Sequence, residues 1–319
     1  MKLILPEVHL ITQEPGVTGM FKHIEKCGRV CYKSEDKITD TSCMDFVSRM
    51  INSGHGTTLE HATVYLIIKS SFENSLYIDS LIEDIMFYKT NPYSHFKEYF
   101  NSSYNSIINS SDNGIIRTCY ITTNFRVLVE NDRLDDIKKY GCEPTELHDR
   151  RYTFEFTCDI GVSREFNRHR KNSVNEESTR YCNYSKDKFN NEITYTLPVW
   201  LDDEDKIQEI EEKLADMSFE DYCYIIGQYE DSQFNDIDFW LFGLMSAEYC
   251  YNNLIRLGWK PQFARNVLNL NTKTTLVHTA FKEDWDHFWL LRAAGISGAP
   301  HPSAKELAEE SQSILNDRI

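Results

Sequence analysis

The segment REFNRHRKNSVNEESTRY, at residues 164–181, gathers four arginines, a lysine and a histidine into one stretch of the chain. The chain around it is acidic, since its 319 residues carry 50 Asp and Glu against 34 Lys and Arg, for a formal net charge of -16. Arginine presents a planar fork of donors that matches phosphate oxygens, and the serines and asparagines that follow add neutral hydrogen-bonding groups. The segment therefore predicts a local site for a phosphorylated, oxygen-rich ligand such as a nucleotide. The alternative is a solvated charged face, because charge runs usually lie at the surface.

The composition bears on the class of protein. The net charge repels nucleic acid and anionic membranes, which argues against an RNA- or DNA-binding role for the basic segment. We expect no membrane helix and no signal peptide, because the apolar runs are short and the first residues lack a cleavage site. The nine scattered cysteines favour a reducing cytoplasm over a disulfide scaffold. Only Cys27 and Cys31 are closely spaced, so we expect no metal site.

Periodicity predicts a mixture of helices and short strands. Helices are predicted at residues 17–32, 40–53, 160–170, 204–229, 236–257, 282–293 and 302–316, with a short one from Pro261. Strands are predicted at 62–69, 115–130 (a strand or hairpin), 152–157 and 274–279, and residues 171–190 are predicted to be an ordered functional loop. Without a regular βαβ rhythm, the order of elements indicates an α+β fold.

The basic segment also follows a specific order, RHR-x-x-S-x-N-E-x-S-x-R-Y. It specifies Arg168, His169, Arg170, Ser173, Asn175, Glu176, Ser178, Arg180 and Tyr181. This order resembles the signature of flavin-dependent thymidylate synthases.

Two further segments resemble the same family. GHGTTLEHA at residues 54–62 is similar to its H-x-T/S-x-x-E-H stretch, and QFARNVLNLNT at 262–272 with FWLLR at 288–292 is similar to its A-R-x-x-L-P-L-N and L-x-L-R segments. Without the resemblance, His55 and His61 would read as structural histidines, and Arg265 and Arg292 as ordinary helix arginines. The resemblance covers residues of about 27–66, 150–185 and 259–293.

The resemblance implies an enzyme that makes dTMP from dUMP, with 5,10-methylenetetrahydrofolate as carbon donor and FAD, reduced by NADPH, as hydride donor. It implies one catalytic domain spanning residues 1–319, with mixed helices around a central sheet and an inserted segment at about 70–150. It further implies a cytoplasmic homotetramer with active sites between subunits.

The resemblance also assigns residues. Arg292 would be catalytic, as a fixed cation against negative charge on the uracil ring. The residues expected to bind dUMP are Glu165, Glu176, Ser178, Arg180, Tyr181, Arg265 and Arg292. Those expected to bind FAD are His55, Thr57, Glu60, Arg168, His169, Arg170, Asn175, Glu176 and His287. Cys182 is expected to be a packing residue rather than a nucleophile.

Several positions depart from the family pattern, mainly on the flavin side. Glu165 stands in place of a frequent glutamine, and Phe281 and Glu283 in place of a frequent Asn and Arg. His287 replaces a frequent Asn, and Cys31 a small hydroxyl residue. A flavoprotein with another substrate and a homologue without activity therefore stay open as alternatives.

Overall fold

A computed structural model of the chain describes residues 1–71, 75–102, 115–186 and 189–318. The strands are β1 (Lys2–Ile4), β2 (Glu7–Ile11), β3 (Thr63–Ser71), β4 (His95–Ser102), β5 (Ile115–Asn124), β6 (Arg151–Asp159), β7 (Ser173–Glu176), β8 (Thr194–Thr196) and β9 (Lys273–Phe281). The helices are α1 (Gly16–Arg29), α2 (Ser42–Asn52), α3 (Gly56–Leu59), α4 (Ser75–Thr90), α5 (Phe125–Glu130), α6 (Asp136–Tyr140), α7 (Ile160–Phe166), α8 (Glu204–Asp216), α9 (Phe219–Gly227), α10 (Asp236–Arg256), α11 (Pro261–Ala264), α12 (Lys282–Arg292) and α13 (Pro302–Asn316).

The expected mixture of helices and strands is confirmed, but the strands do not form one central sheet. Within the described ranges they form an antiparallel sheet in the order β2-β6-β9-β7, a second antiparallel sheet in the order β3-β5-β4, and a parallel pair of β1 with β8. We call the first the main sheet and the second the small sheet.

Alternation along β6 separates the two faces of the main sheet. Phe154 and Phe156 are fully buried and pack with Trp285 and Phe288 of α12, together with residues of α13. Thr153, which precedes Phe154, points toward α1, where its hydroxyl meets His23 at 3.0 Å. An apolar core therefore lies on one face of the sheet, and a buried polar layer lies on the other.

Two predicted elements differ from the observed ones because of local capping. The expected strand or hairpin at residues 115–130 is strand β5 followed by helix α5, since the Asn124 side chain accepts a hydrogen bond from the Val127 N–H at 3.1 Å and starts the helix. The single helix predicted at residues 204–229 is divided in two, because Ser218 and Asp221 form a capping box that begins α9.

The predicted loop at residues 171–190 contains strand β7, which pairs with β9 from Ser173↔Thr279 to Glu176↔Leu276. Within the part of the chain that is described, no helix is long and apolar enough to cross a bilayer.

The segment of about 70–150, interpreted as an insertion, supplies α4, β4 and α6, and its β5 pairs with β3 along nine positions from Thr63↔Asn124 to Ser71↔Ile116. Its boundaries stay a prediction.

Candidate active site

The signature segment lies against the GHGTTLEH segment. Strand β7 carries Asn175, whose side-chain amide donates to the Cys27 carbonyl at 3.2 Å and to the Thr58 hydroxyl at 3.4 Å. Two residues beyond β7, the Ser178 N–H donates to the Cys31 carbonyl at 3.0 Å. Segments more than a hundred residues apart in sequence are therefore joined at one surface. Asn175, expected to bind FAD, is itself buried and holds this junction together.

Arg292 ends α12 and is held by three hydrogen bonds from its own chain. Its Nη1 lies 2.7 Å from a Glu165 carboxylate oxygen, its Nη2 2.6 Å from the Glu165 carbonyl, and its Nε 3.1 Å from Nε2 of His169. Only 13% of the Arg292 side chain is exposed. We call these three residues the Arg292 cluster. It brings a predicted catalytic residue, a predicted substrate residue and a predicted cofactor residue together.

His169 is neutral in this cluster. Burial, and then the positive charges of Arg292 and His287, lower the pKa of His169 to about 4. Because Arg292 Nε can only donate, Nε2 of His169 accepts and its proton resides on Nδ1. The cluster is thus an ordered unit in which a carboxylate and a neutral imidazole fix the plane of the guanidinium.

A second group surrounds the end of the signature. Arg265 donates from Nη1 to the Thr179 hydroxyl at 3.1 Å, and the Arg180 N–H donates to the Ser178 hydroxyl at 3.3 Å. The Arg180 guanidinium is exposed and lies 5.5 Å from the ring centre of Tyr181. We call Ser178, Thr179, Arg180, Tyr181 and Arg265 the Arg265 group. Its two guanidiniums have no carboxylate within ion-pair distance among the described residues, which leaves their charge available to an anion.

Glu176 lies between His169 and Ser178 in the sequence, and so between the two groups along the chain. One of its carboxylate oxygens accepts from the Asn167 amide at 2.9 Å, and the other from the Thr274 hydroxyl at 3.2 Å. Asn167 lies two residues before His169, and Glu176 lies two residues before Ser178. The half-buried Glu176 is therefore placed where one carboxylate can face both neighbourhoods.

The residues expected on the flavin side lie mostly at the surface. His55 and Thr57 are exposed, and Nδ1 of His55 shares a hydrogen bond of 2.6 Å with the Ser53 hydroxyl. Glu60 forms an ion pair of 2.5 Å with Arg126 of α5. A Cβ atom at Gly56 would lie 2.6 Å from the Arg126 Nε, so a larger residue at this position would displace the Arg126 side chain.

The cationic residues on the flavin side are also exposed. The side chain of Arg168 is 70% exposed and lies 3.5 Å from the Glu165 carboxylate, while Arg170 is exposed with no ion pair among the described residues. His287 is exposed, with its ring centre 6.2 Å from that of His169. These guanidiniums can contact a ligand that approaches from solvent.

The two departures at the start of α12 contact the small sheet. The ring of Phe281 stacks on that of His95 in β4, with centroids 3.4 Å apart and planes 1° apart. Nε2 of the same histidine lies 3.5 Å from the Glu283 carboxylate, and its Nδ1 lies 3.0 Å from Asp149. Residues that differ from the family pattern therefore have partners in β4, a strand of the interpreted insertion.

Behind the site runs a buried chain of four side chains. Nδ1 of His61 meets the Thr279 hydroxyl at 2.7 Å, which meets the Thr153 hydroxyl at 2.8 Å, which meets Nε2 of His23 at 3.0 Å. Burial is the largest cause that lowers the pKa of His23 to about 3 and the pKa of His61 well below its usual value. Nδ1 of His23 and Nε2 of His61, at the two ends, have no hydrogen-bond partner among the described residues. His61 has a structural role here, as an isolated histidine would be expected to have.

Sequence reasoning missed three residues that hold the site. Arg151 donates to the Glu60 carbonyl at 3.0 Å and to the Ser173 hydroxyl at 3.2 Å, while Arg126 pairs with Glu60 and Asn167 with Glu176. Asn167 lies inside the signature segment and could have been considered there. Arg126 and Arg151 reach the site through strand pairing, which no local pattern reveals.

On this α+β fold, exposed arginines flank β7, with Arg168 and Arg170 before the strand and Arg180 after it. The chain belongs to the thymidylate synthase complementing protein family, whose sequence model matches residues 113–318. The resemblance to flavin-dependent thymidylate synthases is thereby confirmed over the signature and the Arg265–Arg292 segments, while residues 54–62 precede the matched range.

Other comparisons add little. No curated protein sequence matches the chain. Two solved structures of the UMP/dUMP methylase PolB from Streptomyces cacaoi, one bound with 5-Br dUMP and one with 5-Br UMP, are similar at 15% identity and a TM-score of 0.39. The alignments cover 99% of this chain and 93% and 92% of those chains.

Proposed function

We propose that the protein is a flavin-dependent thymidylate synthase that methylates dUMP to dTMP, with 5,10-methylenetetrahydrofolate as carbon donor and NADPH as reductant of FAD. One observation carries the proposal: three separate sequence segments meet at one surface. Asn175 contacts Thr58, Thr179 contacts Arg265, and His169 contacts Arg292. These are residues of the three segments that carry the family resemblance.

The Arg265 group is the proposed seat of the dUMP phosphate. Arg180 and Arg265 offer guanidinium forks with no competing carboxylate within the described ranges, and Ser178 offers a hydroxyl. Glu176 can accept from a sugar hydroxyl, since each of its oxygens retains a lone pair beyond its single bond. Tyr181, whose side chain is 59% exposed, supplies a ring beside this phosphate seat.

The Arg292 cluster is the proposed seat of the uracil ring. For C5 to attack the methylene carbon, negative charge must be stabilised at the N3 side of the ring, and a fixed cation does this without reorganisation. Glu165 and the neutral His169 hold the Arg292 guanidinium in one orientation. Glu165 accepts from Arg292 and, unlike glutamine, offers the ring no donor.

The donor set fits FAD on its phosphate side. A dinucleotide carries a pyrophosphate, and the exposed Arg168 and Arg170 guanidiniums are suited to it. His55 and Thr57 stand exposed in the neighbouring segment and can bind polar atoms of the cofactor. FAD held there would supply hydride chemistry, while these residues would bind and orient it. Glu283 stands where the family often has an arginine, so this position adds no positive charge to the flavin side.

We propose a homotetramer with active sites between subunits, in the cytoplasm. Among the described residues, no hydrogen bond or ion pair joins the Arg292 cluster directly to the Arg265 group. A site shared between copies would let the cluster of one subunit face the group of another. Size-exclusion chromatography with light scattering tests this assembly, and a monomer with full activity would exclude it.

The visible absorption spectrum of the purified protein tests the redox half of the proposal. We expect a flavin spectrum that bleaches with NADPH and that responds to dUMP. A protein that stays colourless after incubation with FAD would instead support a homologue without activity, consistent with the partners that Phe281 and Glu283 have in β4. A flavin spectrum without any response to dUMP would support a different substrate.

A further inference from the structure

Arg150 and Arg151 differ from the other arginines that are buried or half-buried. Among the described residues, buried and half-buried arginines have a carboxylate within 4.0 Å, with Arg150 and Arg151 as the exceptions. The partnered residues are Arg29, Arg117, Arg126, Arg133 and Arg292. Removing a guanidinium from water without an anionic partner is costly, so an unpartnered pair of this kind requires an explanation.

Both exceptions line one cavity, which lies on the α1 side of the main sheet. Its volume is about 710 Å³, a size typical of small-molecule sites. It is bounded by β2, the start of α1, the start of β3, residues 141–144, the start of β6 and the last residues of the described chain. The Arg292 cluster and the Arg265 group contribute no residue to its lining, so the cavity is distinct from both, although Arg151 also bonds Glu60 and Ser173 of the candidate active site.

The lining combines cations with apolar surface. Arg150, Arg151 and the exposed Arg318 face two carboxylates, Glu14 and Glu143. Glu14 is engaged by Lys22 at 3.2 Å. The rest of the wall includes apolar and aromatic side chains, namely Leu10, Val17, Met20, Tyr65, Tyr152 and Leu315. In a protein with a net charge of -16, this is a local excess of positive charge beside an apolar surface.

The two arginines have donors to spare. Arg150 donates from Nη2 to the Thr145 carbonyl at 3.4 Å and also bonds the Tyr65 hydroxyl, and its guanidinium lies 5.8 Å from the Tyr65 ring centre. Arg151 bonds the Glu60 carbonyl, the Thr63 hydroxyl and the Ser173 hydroxyl through Nη1 and Nη2. A guanidinium has five N–H donors, so neither residue is satisfied by these contacts.

A buried polar atom also belongs to a residue of this wall. His23, with 4% of its surface exposed, lines the cavity, and its buried Nδ1 has no hydrogen-bond partner in the part of the chain that the structure describes. The other ring nitrogen is occupied by the Thr153 hydroxyl, another lining residue. A neutral imidazole with a free Nδ1 can accept from or donate to a polar ligand atom.

We propose that this cavity binds a small organic anion, a carboxylate or phosphate ester on an apolar or aromatic body, with Arg150 as its main cationic contact and Arg151 as the second. The anion supplies the charge partner that both arginines lack, and its body covers the apolar wall. Arg151 also donates to the Glu60 carbonyl and the Ser173 hydroxyl. This arginine therefore links the bound anion to residues 54–62, the segment expected to contact the flavin. The proposal stands on the cavity alone and does not depend on the proposed function.

Thermal melts of the full chain with three probes test the proposal. Benzoate and phenyl phosphate carry both charge and body, and benzamide carries the body alone; sodium chloride at equal ionic strength controls for screening. We expect benzoate or phenyl phosphate to raise the melting temperature in a saturable way, and benzamide and chloride to leave it unchanged. Calorimetry should then show a Kd at least tenfold weaker for Arg150→Gln than for the unsubstituted chain, the loss expected for a charge-assisted hydrogen bond.

Arg256→Gln, a change at an exposed arginine near the end of α10, is the matched control and should bind the probe normally. Absence of any saturable effect from both anions, or equal binding by Arg150→Gln, would overturn the proposal. So would dissociation of an oligomer on Arg150→Gln without any probe binding, because the missing anion would then be a carboxylate of a second copy.

Discussion

Replacing Arg292 with alanine tests whether this arginine acts on the substrate or only stabilises the fold. The substitution removes the bonds to the Glu165 carboxylate, the Glu165 carbonyl and His169; the first joins two charged groups, and the other two join the charged guanidinium to a neutral acceptor. Because 13% of the Arg292 side chain is exposed, water replaces only part of what is lost. We expect the free energy of unfolding to fall by about 2–3 kcal/mol, the scale of breaking a mostly buried charged cluster.

The effect on turnover should be larger. Loss of a preorganised cation that stabilises developing negative charge costs on the order of 100- to 1000-fold in rate. The two readouts are a thermal melt, in which we expect a fall of roughly 5 °C, and the initial rate of dTMP formation at saturating dUMP below that melting temperature. The pKa of His169, followed by NMR, should rise because the charge of Arg292 is one cause that lowers it. The rise should be partial, because burial also lowers this pKa and is the larger cause.

Arg133→Ala is the matched control. Arg133 is half-buried and pairs with Asp84 at 2.6 Å and Asp136 at 3.2 Å, near the small sheet. The Arg133→Ala substitution should lower the free energy of unfolding by a similar amount, without a comparable loss in the rate of dTMP formation. If Arg292→Ala reduces the rate only as much as Arg133→Ala does, Arg292 is a structural residue and the reasoning above is wrong.

Three further predictions follow from contacts and charges. Arg180→Ala should weaken dUMP binding by about 2 kcal/mol, the scale of a charge-assisted hydrogen bond, whereas Arg256→Ala should not; unchanged affinity by calorimetry would remove Arg180 from the site. His23 and His278, whose pKa values are both lowered to about 3 mainly by burial, are neutral when folded and take up protons when unfolded below about pH 6.5. Their contribution to stability is therefore complete above that pH and is lost as the pH falls toward 3, and denaturant titrations at pH 7, 5 and 4 that gave equal stabilities would contradict this. Glu283→Arg should strengthen FAD binding, measured by quenching of flavin fluorescence, because it exchanges an exposed carboxylate for the cation that the family pattern favours; weaker binding would show that the ion pair with β4 serves the cofactor instead.

The sequence was most informative where a local pattern specifies both structure and chemistry. Helix α10 was predicted at 236–257 and observed at Asp236–Arg256, since its apolar periodicity and its Asn235 cap are both local. The order of residues in the signature was enough to identify the family, because many specified positions fall within a short span.

Pairings between distant segments could not be predicted in this way. Strand β7 has four residues, and its register with β9 depends on a partner a hundred positions later. The division into a main sheet and a small sheet likewise depends on which edges pair, and alternation within a strand does not determine this. For the same reason the roles of Arg151, which reaches Glu60 and Ser173 from β6, had no signal in the sequence.

The chain of His61, Thr279, Thr153 and His23 has a direction. Three hydrogen bonds connect these groups, and the two hydroxyls contribute one proton each, so one imidazole must supply the third. If both imidazoles donated, a buried hydroxyl proton would lose its acceptor, and if neither did, one of the three bonds would be lost. Hence one end of the chain presents an N–H and the other a lone pair. The two arrangements are related by moving each of the three hydrogen-bonding protons one step along the chain, while the outer nitrogen at one end loses a proton and the outer nitrogen at the other end gains one. The interior behind the site can therefore hold either of two polarities with the same heavy-atom positions.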